Sequence, residues 1–173
     1  MDTAIINNWN AAVDDKDEIY VLGDFSYKGQ NPDNYLRRLK GHKHLIIGNH
    51  DSKQTIQSRF WESVSDLKTI YILKQRIMLC HYGMRVWNGS FRKSWHLYGH
   101  SHGRLPPTTM MLDGKEVVRS FDVGVDCWDF TPISFEQVRS IMNGEQKPKW
   151  LEDPELAKLE IGKIEPSAIK EIR

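Results

Sequence analysis

Apolar residues recur along the first part of the chain at two alternating periods. Ala4, Ile5, Trp9, Ala12 and Val13 fall at helical spacing and predict an amphipathic helix over residues 3–13. Residues 18–22 (EIYVL) read as a short buried strand that stops in Gly23-Asp24. Tyr35, Leu36 and Leu39 give residues 32–40 one apolar face behind Pro32, a residue suited to a first helical turn, and Gly41 closes that helix. A strand over residues 45–47 follows and stops abruptly in Gly48-Asn49-His50-Asp51.

The pattern continues with a short helix over residues 52–61 carrying Ile56 and Phe60, then two β-rich runs, 69–73 and 76–80, spaced as a hairpin. A strand over residues 95–98 leads into GHSHG. Asp113-Gly114 sits between TTMML and KEVVRS, a strong two-residue hairpin signal. Ser134 followed by Gln137 is a capping box that opens a helix through Met142. From Glu145 onward, charges of both signs alternate with Pro148, Pro154 and Pro166, which predicts a domain over residues 1–144 and a loosely packed, charged tail over 145–173. Strands mixed with helices and joined in part by hairpins predict an α/β sandwich with mixed sheets.

Composition narrows the function classes. At 173 residues the chain fits one domain with a real core, and 39% apolar with 27% charged residues is ordinary for a globular protein. A formal net charge of +1 gives no global electrostatic pull toward nucleic acid or anionic membranes. No stretch approaches the roughly 18 apolar residues that span a bilayer. The start, MDTAIINNWN, lacks the basic and apolar runs of a secretory signal. Cys80 and Cys127 do not suggest a disulfide scaffold, so a reducing, cytoplasmic setting is expected.

Four short motifs share one habit: each follows a short apolar run. They are Gly23-Asp24 after IYVL, Gly48-Asn49-His50-Asp51 after HLII, His81 after IMLC, and Gly99-His100-Ser101-His102 after WHLY. Strand carboxyl ends in α/β folds converge on a common crevice, so a carboxylate, an amide and several imidazoles are expected to meet. Hard oxygen donors mixed with imidazoles suit Mn, Fe, Zn or related divalent ions. In extended backbone His100 and His102 would share one face and could serve two neighbouring ions about 3.5–4 Å apart. Asp24 can bridge such a pair, and Asn49 offers a neutral oxygen that leaves positive charge for an anionic substrate.

The ordered set resembles the calcineurin-like metallophosphoesterase superfamily, of the bacterial and phage type, whose signature runs D-x-H, G-D, G-N-H-[DE], a lone H and G-H-x-H. Positions 23–24, 48–51, 81 and 99–102 match the last four in order. The resemblance implies an α/β/β/α sandwich and metal-assisted hydrolysis of phosphomonoesters or phosphodiesters, in which a hydroxide held between two ions attacks phosphorus. It implies that Asp24 bridges both metals, that Asn49, His81 and His100 complete one site, and that His102 belongs to the other. His50 would face the scissile phosphate and help protonate the leaving group, with Asp51 orienting it by hydrogen bonding.

The first motif, D-x-H, is absent. The residues before Gly23 resemble the helix that follows it in bacterial and phage members, so the chain is expected to start at an internal Met, or to have been cut there, and to lack the first strand and its two ligands. One metal site would keep Asp24, Asn49, His81 and His100; the other would keep Asp24 and His102 alone. One bound divalent ion and impaired activity are therefore expected, with exposed sheet edges that invite association. The rival reading is a non-catalytic metal-binding or protein-interaction module on the same scaffold. Retention of His50 argues against it and loss of D-x-H argues for it.

Other residues carry weaker signals. Arg85 and Arg104 closely follow His81 and the GHSH motif and could meet a substrate phosphate. His42 and His44 precede their strand rather than end it and read as solvent or sheet-edge residues, and His96 reads as structural. Residues 85–95 (RVWNGSFRKSW) interleave cations with aromatics and could stack a nucleobase, but the simpler expectation is that Trp87, Phe91 and Trp95 pin the loop. Near-zero net charge argues against nucleic acid as a partner other than as substrate.

Overall fold

Trp9 ties the first helix to the body of the protein. It lies on α1 (Asp2–Ala12), three residues after Ile6, and both are buried with Val13 and Leu39 against Ile19, Val21, Phe25 and Tyr35. The computed structural model describes residues 2–26, 29–112 and 114–148 of the chain. The expected tail from residue 149 onward lies outside the described residues.

The strands β1 (Glu18–Val21), β2 (His42–Ile46) and β3 (Ser63–Ser65) form a parallel sheet in that order. Two single-turn helices, α2 (Asp33–Leu36) and α3 (Lys53–Ile56), lie in its connections. The second sheet is mixed, as the sequence predicts. It contains β4 (Leu67–Ile72), β5 (Gln75–Cys80), β6 (Trp95–Tyr98), β7 (Thr108–Leu112) and β8 (Lys115–Asp122), in the order β4-β5-β6-β8-β7. The hairpins β4–β5 and β7–β8 are antiparallel, whereas β5, β6 and β8 run parallel. Helix α4 (Phe135–Met142) starts at the expected capping box, with the Ser134 hydroxyl accepting from the Gln137 amide.

The main core fills the space between the sheets. Ile46, Ile77, Leu79, Trp95, Leu97 and Phe121 are buried together with Val138, Ile141 and Met142 of α4, and Tyr20 and Leu22 close the cluster from the first sheet. On β5 and β6 the residues between them, Met78 and His96, alternate to the other face, where Trp87 of the β5–β6 loop packs 5.3 Å from the His96 ring. Trp87 thus pins the loop, as expected. Phe91 does not, being 83% exposed.

Several elements differ from expectation: the helix expected over 52–61 is the single turn α3, and β3 has no counterpart in the apolar pattern. The helix predicted over 32–40 ends at Leu36, beyond which the amides of Arg38 and Leu39 turn to carbonyls three residues back, Tyr35 O at 2.9 Å and Leu36 O at 3.2 Å, and distant side chains take the carbonyls that follow. Asn10 donates to Arg38 O at 2.8 Å, Lys43 to Leu39 O at 2.9 Å and Trp9 to Lys40 O at 3.0 Å. Strand β2 starts three residues earlier than its apolar run. His44 is stacked on Tyr20 at 4.7 Å and bonded to Glu18 and Ser63, so polar side chains complete that end of the sheet.

Candidate metal centre

Strands β1 and β2 are parallel neighbours, so their carboxyl ends deliver Gly23-Asp24 and Gly48-Asn49 side by side. Strands β5 and β6 do the same for His81 and His100 in the other sheet. The two sheets bring these ends together. Asp24, His81 and His100 each place a ligand atom within 4.8 Å of the others.

His81 is the centre of this arrangement and is 1% exposed. Its Nδ1 lies 2.7 Å from the carbonyl oxygen of Leu22. A carbonyl only accepts, so Nδ1 carries the proton and Nε2 presents a lone pair. That Nε2 faces Asn49 Oδ1 at 3.0 Å, His100 Nδ1 at 3.1 Å and Asp24 Oδ2 at 3.5 Å. An oxygen from an amide, a carboxylate oxygen and two imidazole nitrogens therefore converge on one point. A mixed imidazole and oxygen set gathered this closely is what Mn, Fe, Zn and related divalent ions take. The residues present fit such an ion.

The backbone around the centre is unusual. Asp24, His100 and His102 all have positive φ, at 55°, 64° and 50°. Left-handed backbone is uncommon outside glycine, and strained residues of this kind gather at functional sites. The premise that His100 and His102 lie in extended chain is thereby corrected: after β6 the chain coils tightly. Glycine is required at Gly23 and Gly48, because a Cβ at Gly23 would collide with the His81 ring and one at Gly48 with the Asp24 carboxylate.

Asp51 grips both turns. Its Oδ2 accepts from the amides of Gly48 at 2.8 Å and Asp24 at 3.0 Å, and its Oδ1 accepts from Phe25 N at 2.9 Å. The expectation that Asp51 orients the His50 ring finds no such bond among the described residues; its oxygens are taken by main chain. His50 is exposed, and its amide donates to Asp24 Oδ1 at 2.9 Å, leaving Asp24 Oδ2 toward the cluster.

His102 sits outside the cluster of three. Its ring is 67% exposed, and Nδ1 bonds the carboxylate of Asp126, a residue the sequence reading passed over. Asp122 was also passed over. It is fully buried, and it accepts from the Ser101 hydroxyl and from the amides of Gly103 at 3.2 Å and Gly124 at 2.8 Å, holding the GHSH coil against the turn after β8. The available signal was FDVGVD: a strand ending in a carboxylate, the same habit as the other motifs. Beside it, burial and the Asp122 and Asp126 carboxylates push the Cys127 thiol up to about 12, so it stays protonated at neutral pH.

Arg85 lines a separate small pocket and Arg104 is exposed. His96 is fully buried with both ring nitrogens bonded, Nδ1 to Met78 O at 3.0 Å and Nε2 accepting from Met84 N at 3.0 Å; burial lowers its pKa, which suits a structural, neutral imidazole.

A cleft of about 1220 Å³ runs beside β1, the edge strand of its sheet, and opens at Asp24, His81, His100, His102 and Asp126. Ile6, Trp9, Ile70, Ile72 and Ile77 give it an apolar lining as well.

No protein-family model matches the chain. It is 28% identical over 141 residues to an uncharacterized protein of Methanocaldococcus jannaschii, covering 80% of this chain and 73% of that one. The structure of a protein of unknown function from Aquifex aeolicus superposes with a TM-score of 0.60 at 22% identity, covering 80% of this chain and 83% of that one. At that identity the likeness speaks to the fold alone. An archaeal phosphodiesterase aligns more loosely, with a TM-score of 0.45 and 16% identity over 62% of this chain and 67% of that one. The scaffold is an α/β sandwich of one parallel and one mixed sheet. Among the described residues, no helix is long and apolar enough to cross a membrane.

Proposed function

We propose that the protein is a divalent-metal-dependent phosphoesterase acting on phosphomonoesters or phosphodiesters, with one ion held by Asp24, Asn49, His81 and His100. The convergence of Asn49 Oδ1, His100 Nδ1 and Asp24 Oδ2 on Nε2 of His81 carries this reading. When bound, such an ion supplies Lewis acidity toward phosphate oxygens and lowers the pKa of water to near neutral.

The chain's own residues supply orientation and a proton. Leu22 O fixes the His81 tautomer, so the ring presents its lone pair without rearrangement. Asp51 ties the two turns that carry Asp24 and Asn49, which keeps both donors in register. His50 adjoins the cluster through its amide bond to Asp24, and its exposed imidazole is free to hold a proton for a leaving oxygen. Asn49 contributes no charge, so the site keeps a net positive field for an anionic ester.

The test is Mn(II)-dependent hydrolysis of bis(p-nitrophenyl) phosphate by the chain and by a His50→Ala variant. We expect activity that needs the metal and falls about 10²-fold or more in the variant. Absence of metal-dependent turnover in the parent chain would favour the rival reading, a metal-binding module without catalysis. Equal rates in parent and variant would remove His50 from the reaction.

A further inference from the structure

Arg119 is a buried cation with unpaired nitrogens among the described residues. It is 5% exposed, and its Nε and Nη2 meet no hydrogen-bond acceptor among the described residues. A β-bulge puts it there: Thr108 pairs with Ser120 and Thr109 with Val118, so Arg119 is the extra residue on β8 and leaves the ladder. Bulges re-aim side chains in this way. Arg119 lines a pocket of about 140 Å³, together with Arg85, Trp87, Ser90, Phe91 and Thr108. The Ser90 hydroxyl is buried and also lacks a partner among the described residues.

The chemistry of these donors is one-sided. A guanidinium has five N–H donors and no acceptor, and leaving one desolvated and unpaired is expensive. Burial accordingly lowers its pKa. Among the described residues no carboxylate lines the pocket, and Glu116 on β8 accepts from Thr109 Oγ1 at 2.7 Å. Two arginines and a free hydroxyl around a small cavity call for an oxyanion, and the planar guanidinium fork matches one by paired hydrogen bonds. The pocket shares no lining residue with the cleft at the metal centre.

We propose that this pocket binds a phosphate group, through the Arg119 guanidinium and the Ser90 hydroxyl, with Arg85 at the rim. The group is free inorganic phosphate or the phosphoryl end of an ester. Phe91, 83% exposed beside the pocket, offers a ring face to an aromatic ester. This site stands independently of the metal centre.

Titration of the full chain in EDTA, followed by arginine side-chain NMR and calorimetry, tests it without any contribution from a bound divalent ion. Inorganic phosphate is expected to bind saturably and to shift the Arg119 Nε–H signal. Arg119→Met weakens that binding by about tenfold or more, and Ser90→Ala, a milder change that keeps the packing, by about threefold to tenfold. Phenyl phosphate binding tighter than phosphate assigns an aromatic ester end; equal or weaker binding assigns free phosphate; either supports the site. No saturable binding, binding unaltered in the folded variants, or acetate competing as well as phosphate overturns the proposal.

Discussion

Asp51 accepts a hydrogen bond from the main-chain amide of Asp24 at 3.0 Å, and through the same oxygen another from Gly48 at 2.8 Å. Two residues 27 apart in sequence are thereby locked in one geometry, and the carboxylate that does so touches none of the cluster's ligand atoms. Asp51 acts on the metal centre through the backbone. Asp51→Asn replaces one acceptor oxygen by an amide donor facing backbone N–H groups. We expect a loss of about 1–3 kcal/mol in unfolding free energy and weaker Mn(II) affinity. Urea unfolding and calorimetry check both; unchanged metal affinity in a stably folded variant would leave Asp51 with a purely structural role.

Gly48 is predicted to tolerate nothing larger. An added methyl would meet the Asp24 carboxylate and lie close to the His81 ring, both of which face the ion site. The methyl would also meet the Asp24 backbone nitrogen, so Gly48→Ala should be clearly less stable than the parent and lose metal binding. Near-parental affinity would mean that the turn relaxes more easily than its packing implies.

His96 sets part of the acid limit of stability. Burial holds its pKa below the ordinary value of about 6.5. The unfolded chain therefore binds the proton that the folded chain refuses, and stability falls as pH drops from about 6.5 toward the depressed folded value. A His96→Gln variant should be less stable at neutral pH and lose that part of the slope. Thermal melts at a series of pH values check this, and parallel profiles for the two proteins would contradict it.

Phe121 is fully buried at the middle of the main core, between the two sheets and α4. Phe121→Ala is expected to destabilise by about 3–5 kcal/mol. Equilibrium denaturation measures this directly. A loss well below that range would show that the core collapses around the gap.

Much of this molecule was legible in the sequence. The β4–β5 and β7–β8 hairpins, β6 and the α4 capping box come from local turn and cap chemistry, which a sequence states outright. The meeting of Asp24, His81 and His100 was legible because each motif ends an apolar strand. What sequence could not supply was tertiary. The tight turn that follows α2 is held by side chains of Trp9, Asn10 and Lys43 bonded to the carbonyls of Lys40, Arg38 and Leu39. The left-handed coil at His100 and His102, the Asp126 partner of His102 and the bulge at Arg119 arise from contacts between distant segments. Local pattern carries no record of these.

The central claim is that Asp24, Asn49, His81 and His100 hold one divalent cation. The most direct measurement is equilibrium dialysis of metal-stripped protein against Mn(II), followed by removal of free metal and elemental analysis of the parent chain and of His100→Ala. The account predicts about one ion per chain in the parent and little in the variant. A parent chain that retains no ion, or a folded His100→Ala variant that retains as much as the parent, would contradict it.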